Sequence, residues 1–254
     1  MVEQSPEKAC VVGSIPTETT IEKMYFRARY KYYKELIRQN FNSNGETCFS
    51  KKIHNFIKKG FYVDVGCYHP IKESHTSYLY KNGWTGLNLD ISAESIEMFK
   101  IFRPNDKSLT LGLSDKEGVS EAYLNKDIST ISSINRDMVN AMGINKYRIT
   151  RTIKTTTLGN LRKKENLKRI NFLKIDCEGQ DELILSQSSI EDLKSDFLCF
   201  EIIPTDISIR NEIEKKNDFL DFFNTMLFSE KILDYFDHYD HHGFTYLVKS
   251  RYLD

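Results

Sequence analysis

Short apolar runs alternate with helical repeats along most of the chain, and this alternation predicts an α/β fold. Runs rich in aromatic and β-branched residues predict strands at 61–65, 84–90, 109–113, 171–176 and 197–203. Helices are predicted between them, for example one that Ser92 caps and Pro104 stops. Two last strands, at 231–236 and 244–248, are close enough to form an antiparallel hairpin at the sheet edge. The pattern is typical of one doubly wound domain.

Two stretches depart from the alternation. Residues 1–20 are polar and carry two prolines, so we expect a flexible tail, followed by a helical extension over 21–58. The domain proper is then 59–254. Within it, residues 114–157 show only short strand signals at 122–124 and 154–156. Because a long irregular insertion in a compact domain is often functional, we expect 114–157 to cover an acceptor site.

Polar residues follow the first two predicted strands. Asp64 and Gly66 end the first, and Asp90 ends the second, about twenty residues further on. In open α/β sheets ligands bind beyond the carboxyl ends of the strands, and an acid at this spacing can accept hydrogen bonds from the two hydroxyls of a ribose. Gly66 is not followed by the further glycines of G-x-G-x-x-G that cradle a pyrophosphate. The cofactor expected is therefore S-adenosyl-L-methionine, which has a ribose and no phosphate.

Composition narrows the partners and the compartment. Lys and Arg total 36 and Asp and Glu total 36, so no global basic field favours nucleic acid or an anionic membrane. No apolar run approaches the roughly 18 residues of a membrane-spanning helix, and the start does not resemble a signal peptide. Five scattered cysteines without a C-x-x-C pair favour the reducing cytoplasm. Nothing in the composition indicates the oligomeric state.

Several motifs, in this order, resemble the FkbM-type methyltransferases, which are class I enzymes that use S-adenosylmethionine. The motifs are VDVGCYHP at 63–70, SHT at 74–76, GWTGLNLD at 83–90, RPND at 103–106 and FLKIDCEG at 172–179. The resemblance implies a Rossmann-like sheet of seven strands, the last one antiparallel, and methyl transfer to a hydroxyl of a sugar or natural product. Cys67 stands where the family often has alanine, and His75 where it often has asparagine.

The resemblance also implies a cofactor site. Its residues are Asp64 for the amino group, Gly66 and Cys67 beside the methionine part, Ser74 near the carboxylate, Asp90 and Ile91 at the ribose, and Leu113 and Ser114 beside the adenine. Simpler roles stay open for three of them. Asp90 can cap the following helix, Ser114 can belong to a plain turn, and Ser74 can cap a helix over 75–82.

Charged residues alternate at the end of the fourth predicted strand. Lys174 and Asp176 share a face, and Glu178 leads into the turn. Methyl transfer to an alcohol requires aligned reactants and removal of the hydroxyl proton. Asp176 is the first candidate base and Glu178 the second, while His69 is an alternative that can instead order its turn. A Lys174–Asp176 ion pair that only braces the strand is the structural alternative.

Candidate acceptor-binding residues are less tightly constrained. Arg148 and Arg151 lie in the insertion and can meet a phosphate on a phosphorylated or nucleotide-activated acceptor. Glu201 ends the fifth strand, and His241 lies in a turn, 237–243, with three histidines and two aspartates. The spacing in that turn matches no standard metal motif, so no metal is predicted.

These observations predict an O-methyltransferase that acts on a hydroxyl of a small-molecule or glycan acceptor, such as a saccharide or secondary metabolite. One alternative is a nicotinamide-dependent oxidoreductase on the same architecture. The other is an inactive relative that keeps the cofactor pocket.

Overall fold

The structure is a computed structural model that describes residues 44–202, 228–233 and 244–250, with the side chains of 50–189 and 191–200. The predicted tail, the helix over 21–40, most of the helix before the last two strands and the 237–243 turn with His241 lie outside these residues. Ten strands are described: β1 Phe61–Val65, β2 Thr85–Asp90, β3 Lys107–Thr110, β4 Gly112–Leu113, β5 Gly118–Leu124, β6 Ile149–Thr156, β7 Phe172–Ile175, β8 Phe197–Ile202, β9 Phe228–Leu233 and β10 Phe244–Ser250. The described α-helices are α1 Asn44–Phe56, α2 Ser77–Lys81, α3 Ala93–Phe102, α4 Arg136–Met142, α5 Leu158–Lys164, α6 Asp181–Gln187 and α7 Ile190–Leu193, with a 3₁₀ turn at Ile144–Lys146.

The central sheet is mostly parallel, which confirms the predicted α/β class. Its described strands run in the order β3-β2-β1-β7-β8-β10-β9. The first five are parallel to their neighbours, and β10 is antiparallel to both β8 and β9. The last two strands therefore form an antiparallel pair at one edge of the sheet, as expected, with β10 between β8 and β9.

Both faces of the inner strands are buried, since β1, β2 and β7 are buried at nearly every position. Val63 and Val65 face a large aliphatic cluster with Leu173 and Ile175. On the opposite face Tyr62 and Phe172 belong to a second cluster, which α1 joins through Ile53. The cores hold the carboxyl ends of β1, β2 and β7 at one edge.

The expectation for the insertion is wrong in one respect. Strands β5 and β6 are longer than the short signals at 122–124 and 154–156, and with β4 they form a separate sheet in the order β4-β6-β5. Its apolar side is small, with Ala122, Leu124 and Ile153 buried together. The exposed positions of β6 are Thr150, Thr152 and Lys154, and Val119 of β5 is exposed, so the hydrophobic alternation is weak although β5 and β6 are paired along their length.

Helix boundaries follow the capping signals unevenly. Ser92 caps α3 by accepting a hydrogen bond from the Ser95 amide at 3.1 Å, and α3 ends just before Arg103 and Pro104, as predicted. The cap predicted at Ser74 is wrong, because α2 begins only at Ser77 and its N-cap is Thr76. Among the described helices none combines the length and the apolar character needed to cross a bilayer.

Candidate functional site

The candidate site lies where β1, β2 and β7 end side by side. In the pairing register Asp64 on β1 lies between Asn88 on β2 and Lys174 on β7. The predicted residues Asp64, Gly66, Asp90 and Asp176 are therefore brought to one edge of the sheet. This is the edge at which open α/β folds bind ligands.

Gly66 makes the turn that joins these strand ends. Its φ is +71°, and the amides of Gly66 and Cys67 both donate to the Leu89 carbonyl, at 2.9 and 3.0 Å. A Cβ at this position would overlap the carbonyl oxygen of Asp176. Glycine is needed here both for the left-handed backbone and for the direct packing of the β1 turn on the β7 turn.

Asp90 is held by two main-chain donors. One carboxylate oxygen accepts from the Tyr68 amide and the other from the Ser92 amide, both at 2.8 Å. The side chain is 8% exposed, and burial raises its pKa to about 6 although the two amides oppose the shift. The capping role left open by the sequence is thus present. Each oxygen still has a second lone pair, so the ribose role stays a prediction.

Asp64 is buried, and one of its oxygens lacks a hydrogen bond. The side chain is 2% exposed, and Oδ2 accepts from the Thr76 hydroxyl at 2.6 Å. Within the described residues Oδ1 has no hydrogen-bond partner, and its nearest cation is the Lys174 ammonium at 3.6 Å. A buried carboxylate oxygen in this state can accept a hydrogen bond from a bound amine.

Lys174 connects Asp64 to the predicted reacting end. Its ammonium donates to the Gly66 carbonyl at 2.7 Å and pairs with Asp176 at 3.1 Å. Burial alone would lower the pKa of Lys174, but Asp176 and Asp64 raise it well above its ordinary value. Lys174 is therefore a fixed cation, and the ion pair offered as the structural alternative is present.

Glu178 follows Asp176 at the same strand end. Its φ is +49°, and that of Gly179 is +91°, so two successive residues are left-handed. Burial, together with the neighbouring Asp176 and Asp181, raises the pKa of Glu178 well above its ordinary value. The Glu178 carboxyl consequently holds a proton more readily than an ordinary glutamate.

His69 has the geometry of a residue that orders its turn. Its Nδ1 accepts hydrogen bonds from the amides of Ile71 and Lys72, at 3.0 and 2.9 Å. Burial, with the nearby charges of Lys72 and Arg103, lowers the pKa of His69 to about 4. The ring nitrogen that could accept a proton is already in use, which favours the ordering role over the role of a base.

Sequence reasoning missed Thr76 and Arg103, which support Asp64 from behind. Arg103 is 1% exposed and donates to the Thr76 hydroxyl at 2.7 Å, to the Ser74 hydroxyl at 2.8 Å and to the Pro70 carbonyl. Its guanidinium also stacks on Phe99, 4.7 Å from the ring centre. Arg103 thus fixes the loop after β1 and reaches Asp64 through Thr76. The sequence signals for Arg103 were its place at a helix end and in the RPND motif at 103–106, and neither indicated this contact.

The remaining predicted cofactor positions flank this centre. Cys67 packs with Ile96 and Phe99, and Ile91 packs against the apolar cluster of the second sheet. Leu113 is buried at the end of β4. The amide of Ser114 donates to the Thr156 carbonyl at 2.9 Å, and its hydroxyl donates to Asp115 at the same distance.

The predicted acceptor residues fare differently. Arg151 is engaged by two carboxylates, Glu94 at 2.6 Å and Asp127 at 2.9 Å, which leaves little of its guanidinium for a phosphate. Arg148 is exposed. For Glu201 only the backbone is described, paired with Thr245, and His241 lies outside the described residues. No group of three or more His, Cys, Asp or Glu in the described part of the chain is arranged to hold a metal ion.

Comparison with known proteins gives one family. The sequence pattern of the methyltransferase FkbM domain matches residues 64–245. None of the curated proteins compared matches this chain.

Solved structures that are similar to this chain include several methyltransferases. A putative rRNA-methylase from Clostridium thermocellum is 13% identical, with 84% of this chain and 99% of that chain covered and a TM-score of 0.44. A TehB-like SAM-dependent methyltransferase from Corynebacterium glutamicum is 10% identical, with 90% and 100% covered and a TM-score of 0.42. An O-methyltransferase from Bacillus cereus in complex with SAH is 12% identical, with 93% of each chain covered and a TM-score of 0.36. Because these sequence identities and TM-scores are low, the similarities do not indicate the substrate of this chain.

Proposed function

Because this chain belongs to the FkbM methyltransferase family, we propose that it is an O-methyltransferase that acts on a hydroxyl of a saccharide or secondary metabolite. Its membership makes it a methyltransferase that depends on S-adenosyl-L-methionine. The observation that carries the proposal is the juxtaposition at the Gly66 turn. There the main chain of Asp176 packs directly on Gly66, in the loop expected to hold the cofactor. The Asp176 carboxylate, which can serve as a base, pairs with Lys174 beside it.

The residues of the β1 and β2 ends fit S-adenosyl-L-methionine. Oδ1 of Asp64, which accepts no hydrogen bond from the described residues, suits the amino group, and the remaining lone pairs of Asp90 suit the ribose hydroxyls. Gly66 keeps the turn between them free of a side chain. Leu113 and Ser114 are proposed beside the adenine. Ser74 is held by Arg103, so we assign it to the support of the loop.

At the reacting end this chain must position a hydroxyl and take its proton. When bound, the cofactor supplies a methyl group on a positively charged sulfur. Asp176 would receive the hydroxyl proton as the acceptor oxygen took the methyl group and the cofactor sulfur left with the electron pair of the carbon–sulfur bond. Lys174 fixes the Asp176 carboxylate and the Gly66 carbonyl together, which aligns the base with the cofactor loop.

Glu178 ranks second to Asp176 as the base, because its raised pKa favours the protonated form, which cannot take up the hydroxyl proton. His69 is not proposed as the base, because its Nδ1 already accepts two amide hydrogens.

The finer organisation is also proposed. The domain covers 59–254 after a tail at 1–20 and a helical extension over 21–58, the full sheet has seven strands with the last antiparallel, and 114–157 covers the acceptor. The balanced charge supports a small-molecule or glycan acceptor. Arg148 is proposed to meet a phosphate where the acceptor carries one. Among the residues whose side chains are described, Cys67, Cys177 and Cys199 form no disulfide, which supports a reducing compartment such as the cytoplasm.

The test is transfer of a labelled methyl group to a panel of hydroxyl acceptors that includes monosaccharides, nucleotide sugars, polyols and phenols. We expect label on an acceptor oxygen with the native protein. Asp176→Asn should lower kcat about 10²- to 10⁴-fold and leave the affinity for S-adenosylhomocysteine within about threefold. Glu117→Gln, which neutralises an exposed carboxylate, should behave like the native protein.

Three outcomes would contradict the proposal. An unchanged kcat in Asp176→Asn excludes that residue as the base. Label found only on nitrogen or carbon excludes O-methylation. Tight binding of S-adenosylhomocysteine without transfer to any member of the panel would identify an inactive relative.

A further inference from the structure

The turn after β7 adopts a conformation that its own sequence does not favour. Glu178 and Gly179 are both left-handed, and only glycine enters that region without steric cost. A non-glycine residue in this conformation persists when the surrounding structure holds it there. The question is which contacts hold the Glu178 turn.

Two side chains from the insertion hydrogen-bond to this turn. The Ser133 hydroxyl donates to the Glu178 carbonyl, and the Asn135 side-chain amide donates to the Gly179 carbonyl, each at 2.7 Å. Successive carbonyls are thus fixed by donors from a segment more than forty residues away in sequence.

Both donors are themselves fixed. The main-chain amide of Asn135 donates to the Ser133 hydroxyl at 3.0 Å, which orients that hydroxyl. The Asn135 side-chain oxygen caps α4 by accepting from the amides of Asp137 and Met138, at 3.0 and 3.1 Å. Each polar atom of the Asn135 side chain therefore has an assigned partner.

The second sheet anchors this segment. The main chain of Ser133 exchanges two hydrogen bonds with Tyr123 on β5, at 2.8 and 3.0 Å. From α4, Met138 packs so closely on the turn that a Cβ at Gly179 would lie 3.0 Å from its Cγ. The insertion thus joins its own sheet to the strand end that carries the candidate bases.

We propose that Ser133 and Asn135 are positioning residues of the methyl-transfer site, which hold the Glu178–Gly179 turn, and with it the carboxyls of Asp176 and Glu178, in the reactive arrangement. The inference rests on the proposed function of that strand end. The insertion then has a role besides covering the acceptor, since the reacting end is incomplete without it. Ser133 and Asn135 act through main-chain carbonyls, so they affect turnover more than cofactor binding.

Asn135→Asp separates this role from simple folding. Aspartate caps a helix as well as asparagine does, so α4 keeps its cap while the donor to Gly179 is lost. Asn135→Ser makes the same separation without adding a charge. The matched control is Asn82→Asp, because the exposed Asn82 side-chain amide also donates to a main-chain carbonyl, that of Tyr78 at 2.7 Å, outside this site.

Amide hydrogen exchange and binding of S-adenosylhomocysteine are measured on the full chain. In both Asn135 variants, exchange in the peptide covering 177–181 should quicken about fivefold, the factor expected for the loss of one hydrogen bond. Peptides of β1 and β2 should be unchanged, and S-adenosylhomocysteine should bind within about twofold of native affinity. With an acceptor from the hydroxyl panel, kcat should fall about 10- to 100-fold with little change in KM.

Native exchange at 177–181 in both variants would overturn the proposal. So would an unchanged kcat, or a loss as large in Asn82→Asp. If the native protein transfers no methyl group, the proposed function fails, and the exchange comparison still decides whether the insertion holds the turn.

Discussion

The substitution Lys174→Met removes an ammonium that, among the described residues, lies between the carboxyl ends of β1 and β7. The Lys174 side chain is 6% exposed and faces Asp64 at 3.6 Å and Asp176 at 3.1 Å. Methionine has a similar length and is apolar, so the variant leaves little empty space. What changes is the charge around Asp64, which is also buried.

The magnitude follows from the burial of Asp64. Breaking a buried ion pair by removal of one partner costs about 3–5 kcal/mol, because a charge is left without compensation in a poorly solvated place. A surface pair is worth about 0–1 kcal/mol. Lys194 and Glu191 form such a pair at 3.7 Å, with side chains 66% and 79% exposed, so Lys194→Met is the matched control.

Urea denaturation of Lys174→Met, Asp64→Asn and the double variant measures the effect. We expect the free energy of unfolding to fall by about 3–5 kcal/mol in Lys174→Met and by at most about 1 kcal/mol in Lys194→Met. The double variant should be more stable than Lys174→Met by about 2 kcal/mol, because no charged Asp64 is left unpaired. Equal losses in Lys174→Met and Lys194→Met, or strictly additive losses in the double variant, would refute the reasoning.

Three further predictions concern the cofactor loop, its acid and the basic residues of the insertion. Gly66→Ala should lower the free energy of unfolding by more than about 3 kcal/mol. The control is Gly143→Ala, which should cost about 1–2 kcal/mol, because Gly143 has a φ of +90° and no atom within 4 Å of the added carbon. Thermal denaturation compares the two variants. Ribose hydroxyls hydrogen-bond best to the ionised Asp90, so affinity for S-adenosylhomocysteine should be constant above pH 7 and fall up to about tenfold per pH unit below pH 6. Calorimetry on Asp90→Asn should show no such pH dependence. Arg148→Glu should weaken the binding of a phosphorylated acceptor severalfold, while Arg151→Ala should leave it unchanged. Equal effects of the two substitutions in a binding titration would contradict the prediction that only Arg148 can meet the phosphate.

The central strands and the strand-end residues could be predicted from the sequence because their signals are local. Short runs rich in aromatic and aliphatic residues, as at 61–65 and 84–90, favour buried parallel strands. Gly66 and Asp90 follow such runs directly, so their place at the carboxyl edge comes with the strand prediction. The Lys174–Asp176 pair likewise follows from alternation within one strand.

The second sheet was underestimated because its alternation is mostly between polar residues. In β6 the exposed positions include Thr150, Thr152 and Lys154, and even the less exposed side includes Arg151. Hydrophobic periodicity is weak in such a strand. Its pairing with β5 and β4 depends on residues that are distant in sequence, so no short stretch of sequence predicts it.

The supporting network could not be predicted, because its bonds join residues that are distant in sequence. Arg103 is a residue type that is almost always exposed, yet here it is buried against the Thr76 and Ser74 hydroxyls. Asp64 meets Lys174 only through the register of β1 on β7. The donors from Ser133 and Asn135 to the Glu178 turn likewise exist only once the insertion has folded.

The most direct test of the central claim is calorimetric titration of S-adenosylhomocysteine into the native protein, Asp90→Ala and Asp137→Ala, which removes an exposed carboxylate on α4. Thermal denaturation establishes that each variant is folded. If β1 and β2 hold the cofactor, the native protein and Asp137→Ala bind one equivalent with equal affinity, and Asp90→Ala binds at least about tenfold more weakly, as expected for lost hydrogen bonds to a charged group. The same affinity in Asp90→Ala and the native protein would contradict the account.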